Sequence, residues 1–357
     1  MTPIRMGVVG VGALGQHHAR ILSEMDRVNL VGVSDTDEKR AQQIARKCQT
    51  NWCTNYKELC DIVDAVSIVV PTTWHLQVAE EFIRRRIPVL IEKPLALNAQ
   101  QAERLVELSL TYDTLLQVGH IERFNPVTKL AWSRCGSPRY IRAERYSPYA
   151  FRSTDIGAVL DLMIHDIDLV LDLTRSPIVD VEAFGISILG CQEDSVNARL
   201  KFASGCIADL TANRVCPDFK RMLQIWSEDS TVSVDFNKQE VTCFRPSDML
   251  NFGTSPLELA AKPNADIAQL KKDVFGKWIE VERPEITKHD ALTVELDEFI
   301  DCCLTEKKPE AGGQEGLAAM HAAEMILDAV NSHRWTGTSN GLCGPHVRTM
   351  NTRKMAG

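Results

Sequence analysis

The chain has 357 residues, 44% hydrophobic and 25% charged, an ordinary mix for a globular protein long enough for two domains. A net charge of −8 with no basic run argues against a nucleic-acid partner, and apolar stretches such as 62–71 are too short to span a bilayer. The opening MTPIRMGVVGVG lacks the parts of a signal peptide, so the expected location is cytoplasmic. Eleven scattered cysteines with no Cys-x-x-Cys pair read as reduced thiols, not as a disulfide framework or a zinc site.

The first ~120 residues alternate strand and helix signals. IRMGVVGVG is a buried strand, and a helix follows over about 13–25. LVGVSD is a strand and TDEKRAQQIARKC a helix; AVSIVVP, PVLIEKP and LLQVGH are strands separated by the helices HLQVAEEFIRRR and NAQQAERLVELSLTY. Buried strands alternating with helices predict a parallel, doubly wound sheet. Beyond it, 157–173 reads as one helix, and 180–245 as an antiparallel meander of VEAFGISIL, SVNARLKFA, GCIADLTANRV, KRMLQIWSE and STVSVDF. Helical patterns return at 290–304 and 315–333, while 246–275 shows no pattern. The expected division is an NAD-binding Rossmann domain at 1–123, an α+β domain at 124–333 for substrate and oligomerisation, and a flexible tail or arm at 334–357.

Gly10-Val11-Gly12-Ala13-Leu14-Gly15 follows a strand and opens a helix. Glycines in that setting let a pyrophosphate approach the backbone at a helix N-terminus. Asp35 ends the second strand, where a carboxylate accepts from ribose hydroxyls and repels a 2′-phosphate, so NAD is expected over NADP. Asp37 and Glu38 add to that field, and Lys39 and Arg40 blur it.

Glu92-Lys93-Pro94 closes another strand, and ligands of such sheets bind at the carboxyl ends. Lys93 there can donate to a substrate oxygen and make a hydroxyl easier to deprotonate. In the 157–173 helix, Leu160, Met163, Ile164, Ile167 and Leu171 form a core stripe, with Asp161, His165, Asp168 and Asp172 opposite. Asp161 and His165 are one turn apart, so a carboxylate could orient an imidazole base. An acidic surface face or a metal site would show the same residues. His120, Arg123 and Asn125 follow the strand LLQVG and could orient a sugar or an anion; a structural turn held by Arg123 is the other reading.

With Pro71-Thr72-x-x-His75, Glu92-Lys93-Pro94 and Asp161-x-x-x-His165-Asp-x-Asp168 in this order after the glycine fingerprint, the sequence resembles the Gfo/Idh/MocA family of sugar and inositol oxidoreductases, up to about residue 333. The resemblance implies NAD as cofactor and Lys93, Asp161 and His165 around the reacting carbon. It places Pro71, Thr72 and His75 beside the nicotinamide, and it implies a second-domain sheet whose exposed face makes dimers or tetramers. Val181, Ala183, Gly185, Val196, Ala198 and Leu200 are expected on that face. Gly119 to Pro126 is similar to a subgroup that oxidises UDP-N-acetylglucosamine at C3. Arg142, Arg145, Tyr146, Tyr149 and Arg152 offer cations and rings for such a sugar nucleotide, with Tyr146 and Arg152 counted as substrate ligands. The alternatives are an inositol or free-sugar dehydrogenase and a non-catalytic NAD-binding sensor.

Overall fold

A computed structural model describes residues 2–151, 155–336 and 341–347. The first layer alternates β1 (Ile4–Val9), α1 (Gly15–Glu24), β2 (Val28–Ser34), α2 (Glu38–Cys48), β3 (Asn51–Cys53), β4 (Ala65–Ile68), α3 (His75–Ile83), β5 (Val89–Glu92), α4 (Ala99–Thr111) and β6 (Leu116–Gly119). The strands pair in parallel in the order β3-β2-β1-β4-β5-β6. Order reverses at β1, so the carboxyl ends of β1 and β4 flank the crevice where a dinucleotide binds. Both faces are covered, which is why these strands are apolar without alternation. The three-residue β3 is too short to carry a pattern and escapes the sequence reading.

A 3₁₀ turn at Ile121–Phe124 leads into α5 (Pro126–Arg134) and β7 (Pro138–Tyr146). A π-helical turn at Val159–Met163 then runs into α6 (Ile164–Thr174). The strands β8 (Ile178–Ser187), β9 (Ser195–Phe202), β10 (Ile207–Asn213), β11 (Lys220–Ser227), β12 (Thr231–Asp235) and β13 (Glu240–Pro246) follow. Three short helices with no buried residue, α7 (Asp248–Phe252), α8 (Pro256–Ala260) and α9 (Ile267–Asp273), fill the patternless segment before β14 (Ile279–Glu282). The chain ends with α10 (Ala291–Thr305), α11 (Gly313–Ser332) and β15 (His346–Val347). The second sheet has nine strands in the order β14-β13-β12-β11-β7-β10-β9-β8-β15. It is not the simple meander expected: β7 inserts between β10 and β11, parallel to the first and antiparallel to the second.

The domains are less separate than their order in the chain. Leu296, Phe299 and Ile300 of α10 lie in one core with Met6, Val8, Leu22 and Leu90 of the first layer. Helix α11 packs on α4, α6 and β8, bridging the two sheets. Val181, Ala183, Gly185, Val196, Ala198 and Leu200 are not on the outer face as expected. They face inward, where a Cβ on Gly185 would stand 2.9 Å from Val330 of α11. The outer face instead carries half-buried Tyr140, Trp226, Asp209 and Tyr146, with Tyr140 stacked 5.1 Å from Trp226. The described part of the tail folds onto its own sheet: β15 pairs with β8, and Trp335 packs against Phe184, His333 and His346.

Candidate active site

The glycine turn has the shape a dinucleotide needs. Gly10 adopts φ +85°, and a Cβ there would meet the Val69 carbonyl at 2.5 Å. A Cβ on Gly15 would lie 1.9 Å from the Gly10 carbonyl, so only glycine lets α1 start this close to β1. Around Gly12, by contrast, the nearest atom within reach is Arg40 Nη1 at 4.0 Å, which leaves room for a ligand. No side chain caps α1 at Leu14, and the Gln16 and His17 N–H groups donate to the Gly12 and Leu14 carbonyls (3.2 and 2.8 Å), so a pyrophosphate would be met by the turn just before them at the positive end of the helix. Asp35 accepts from the N–H of Val11 (3.0 Å) and of Asp37 (2.9 Å), which aims its carboxylate over the turn. Arg40 lies 3.4 Å from it, so the acid is partly balanced. These residues, with Ala13 exposed at the bend, fit NAD.

His75 is buried and reaches backbone on both sides: Nδ1 lies 3.0 Å from the Pro94 carbonyl, Nε2 2.9 Å from that of Val70. Burial holds its pKa below the usual imidazole value of 6.5. The ring ties the Pro71-Thr72 turn to the Lys93-Pro94 turn. Glu92 accepts from the Lys93 N–H (3.1 Å) and pairs with His18 (3.1 Å), whose other nitrogen meets the Ser67 hydroxyl at 2.9 Å. Burial opposes ionisation of Glu92, but the His18 hydrogen bond and the charges of His18 and Lys93 prevail and hold its carboxyl below the usual range. Gly119 on the next strand leaves room for that carboxyl, as a Cβ there would lie 3.1 Å from it.

Lys93 reaches across to the second domain. Its Nζ donates to the Asp161 carbonyl (2.7 Å) and lies 3.5 Å from the Asp161 carboxylate. His165 lies beside them, half-buried, with Nδ1 sealed from solvent and without a partner. Burial, then the charges of Lys93 and Arg145, push the pKa of His165 well below 6.5, so the imidazole is neutral. The expected Asp161–His165 hydrogen bond is not made. Asp161 sits in the wider π turn, which departs from the 3.6-residue spacing, and its carboxylate faces Lys93.

Several expected substrate ligands are engaged elsewhere. Arg123 forks onto Asp168 at 2.7 and 2.8 Å and donates to the Glu310 carbonyl, which makes it the buried turn residue of the alternative reading. Asn125 caps α5 through Val127 N–H and donates to Glu122 (3.1 Å). Tyr146 lies on the outer face of its strand, away from His165; burial and its 2.9 Å hydrogen bond to Glu144 push its pKa up to about 12. His120 is buried next to Asp168, with neither ring nitrogen bonded. Arg145 is clamped between Asp166 (2.8 Å) and Glu122 (2.8 Å), and Arg142 pairs with Glu144 on the outer face, so neither stands ready for a diphosphate. Tyr149 lies under the guanidinium of Arg214, 5.3 Å from its ring. Arg152 lies outside the described residues. The sequence reading missed the Arg145 clamp and the His18–Glu92 pair. It also missed Arg221, which stands beside Arg145 across the β7–β11 pairing and acts electrostatically on His165. Among the described residues no group of three His, Cys, Asp or Glu side chains is placed to hold a metal ion, and no helix is long and apolar enough to cross a membrane.

Residues 4–120 match the family model described as oxidoreductase family, NAD-binding Rossmann fold, and residues 129–233 match the GFO/IDH/MocA C-terminal domain. The chain is 32% identical over 333 residues to a UDP-N-acetylglucosamine 3-dehydrogenase from Acidithiobacillus ferrooxidans, covering 93% of this chain and 99% of that protein. A solved structure of that dehydrogenase superposes with a TM-score of 0.80 over 92% of this chain and 98% of its own. A scyllo-inositol 2-dehydrogenase from Bacillus subtilis is 28% identical, over 60% of this chain and 68% of its own. With one family model over each sheet and a full-length likeness in both sequence and structure, the chain belongs to the Gfo/Idh/MocA family of NAD-binding oxidoreductases.

Proposed function

We propose that the protein oxidises the 3-hydroxyl of UDP-N-acetylglucosamine to the 3-keto sugar nucleotide. The observation that carries this reading is the likeness to a UDP-N-acetylglucosamine 3-dehydrogenase, which covers 93% of this chain and 99% of that one; the likeness to the scyllo-inositol dehydrogenase covers 60% of this one. The bound dinucleotide supplies the hydride acceptor. Lys93 donates to the substrate oxygen, which lowers the pKa of the hydroxyl. His165, neutral by burial, takes the hydroxyl proton at Nε2, since its Nδ1 is sealed from solvent. Asp161 holds the Lys93 ammonium in place. The O–H and C–H bonds break as the carbonyl forms. The remote diphosphate and uridine would supply binding energy that positions C3.

The enzyme is further proposed to be cytoplasmic and to work as a homodimer or homotetramer through the half-buried outer face of the nine-stranded sheet. Light scattering that shows only monomer at micromolar concentration refutes that assembly. The substrate is tested by comparing UDP-N-acetylglucosamine, N-acetylglucosamine and myo-inositol under identical conditions, with NADH formation as the readout. Turnover of the UDP-sugar alone is expected. Turnover of inositol with no response to the UDP-sugar moves the protein to the polyol branch of the family.

A further inference from the structure

His165 lacks the partner its chemistry requires. An imidazole that takes a proton at Nε2 carries its own proton at Nδ1, and an acceptor there fixes the tautomer and raises basicity. In this chain Nδ1 is buried without a partner, because Asp161 turns to Lys93. Asp168, one turn along α6 from His165, lies 3.8 Å from the Nε2 of His120, which brings a second buried imidazole, able to accept a hydrogen bond, into the surroundings of the ring.

His120 is 2% exposed, and both its ring nitrogens lack partners. A buried polar ring with neither nitrogen satisfied is unfavourable unless function retains it. Its Nε2 lies 3.8 Å from the Asp168 carboxylate, which the Arg123 fork holds still. Glu92 and Lys93 at the end of β5, together with Arg123, complete the charges around it. Burial keeps both imidazoles neutral, so His120 has a lone pair to offer at neutral pH. Hydrogen bonds of catalytic groups often tighten only when substrate is bound.

We propose that His120 is the positioning residue of the base: with substrate bound it accepts the Nδ1–H of His165 and, backed by Asp168, relays the proton drawn from the substrate hydroxyl. One proton moves and no electrons. The substrate O–H bond breaks as His165 Nε2–H forms; Nδ1–H then breaks as a His120 N–H forms. The positive charge comes to rest on an imidazolium beside the Asp168 carboxylate, from which the proton is lost to solvent before the next turnover.

The inference rests on His165 being the base, and the two are separable. His165→Ala should be inert, and a turning-over H165A variant would remove the base itself. His120→Phe keeps the ring shape without an acceptor. It should lower kcat about tenfold to a hundredfold, as loss of a supporting partner does. NAD affinity should stay unchanged, and the acidic limb of the kcat/KM profile should move to lower pH, because an unsupported His165 is less basic. Added imidazole should restore turnover to His120→Ala. If the phenylalanine variant does not fold, His120→Asn is read instead: its carbonyl accepts the Nδ1–H but takes up no proton, so kcat should fall while the limb stays near its wild-type place. A folded H120F or H120N with wild-type kcat, beside an inert H165A, overturns the inference and leaves the proposed function standing.

Discussion

Lys93 is the residue that joins the halves of the site, since it leaves the Rossmann sheet at β5 and ends on Asp161 of the second domain. Lys93→Ala should lower kcat by about a hundredfold to ten-thousandfold, the usual contribution of a proton-managing group, with NAD affinity nearly intact. Asp161→Asn should be milder, because the backbone carbonyl that receives Nζ at 2.7 Å remains and only the 3.5 Å charge is lost. Steady-state kinetics on UDP-N-acetylglucosamine with separate NAD titration checks both; an Asp161→Asn enzyme less active than Lys93→Ala would reverse the roles. Asp35 makes a different forecast. Its carboxylate should bind ribose hydroxyls and reject a 2′-phosphate, so NAD should bind more tightly than NADP. Arg40, 3.4 Å away, softens the rejection, and Arg40→Ala should widen the gap between the two cofactors. Equal binding of NAD and NADP by the wild type would sink this.

At the scale of elements, the glycine turn separates two effects that sequence merges into one motif. Gly15→Ala forces a Cβ against the Gly10 carbonyl, so both melting temperature and NAD affinity should fall. Gly12→Ala meets no protein atom closer than 4.0 Å and should leave melting unchanged, while its methyl, placed where the pyrophosphate lies, costs about tenfold or more in NAD affinity. Thermal melts beside calorimetric titration distinguish them; equal melting losses would mean the turn is held by something other than close packing. The turn was legible because strand, glycines and acid obey one local geometry. The strands of the parallel sheet were legible too, since burial on both faces makes them continuous apolar runs. Strand β7 was not, because its inward positions Ile141, Ala143 and Arg145 include a charge that only its burial between Glu122 and Asp166 explains. The π turn was equally hidden: periodicity assumes a constant helix, so Asp161 and His165 read as hydrogen-bonded neighbours, whereas Asp161 sits in the wider turn and faces Lys93. Arginines 123 and 145 read as ligands because charge in sequence does not reveal a partner distant along the chain, such as Asp168 or Asp166.

For the whole molecule, the return of α10 to the Rossmann core places an acid where none is easily accommodated. Glu295 is fully buried, neither carboxyl oxygen has a partner, and Gln117 beside it donates only to its backbone carbonyl at 3.3 Å. Burial, then the charges of Glu92, Glu298 and Asp168, raise its pKa well above the usual 4.5, so it folds protonated. The histidines behave oppositely: His75, His120 and His165 are held below 6.5, chiefly by burial, and fold neutral. Linkage gives the signs. The stabilisation tied to the neutral histidines is present above 6.5 and is lost as pH falls below it, because the unfolded chain then binds more protons. The stabilisation tied to protonated Glu295 is present below 4.5 and is lost as pH rises toward its folded value, by about 1.4 kcal/mol per pH unit for one proton. The histidines should therefore lower stability as pH falls below 6.5, while Glu295 lowers it as pH rises from 4.5 toward its folded value. Glu295→Gln keeps the shape and needs no proton, so it should stabilise the chain at neutral pH and above, with an advantage that grows with pH until the folded value is reached. Between 6.5 and 4.5 the variant should lose stability faster on acidification than the wild type, which regains the Glu295 contribution there, and below 4.5 the two should change in parallel. Urea unfolding of both proteins at a series of pH values from mildly acidic to mildly alkaline measures the difference directly. A glutamine variant that is less stable than wild type on the alkaline side would show that Glu295 is ionised in the folded protein and held by the cations around Glu92.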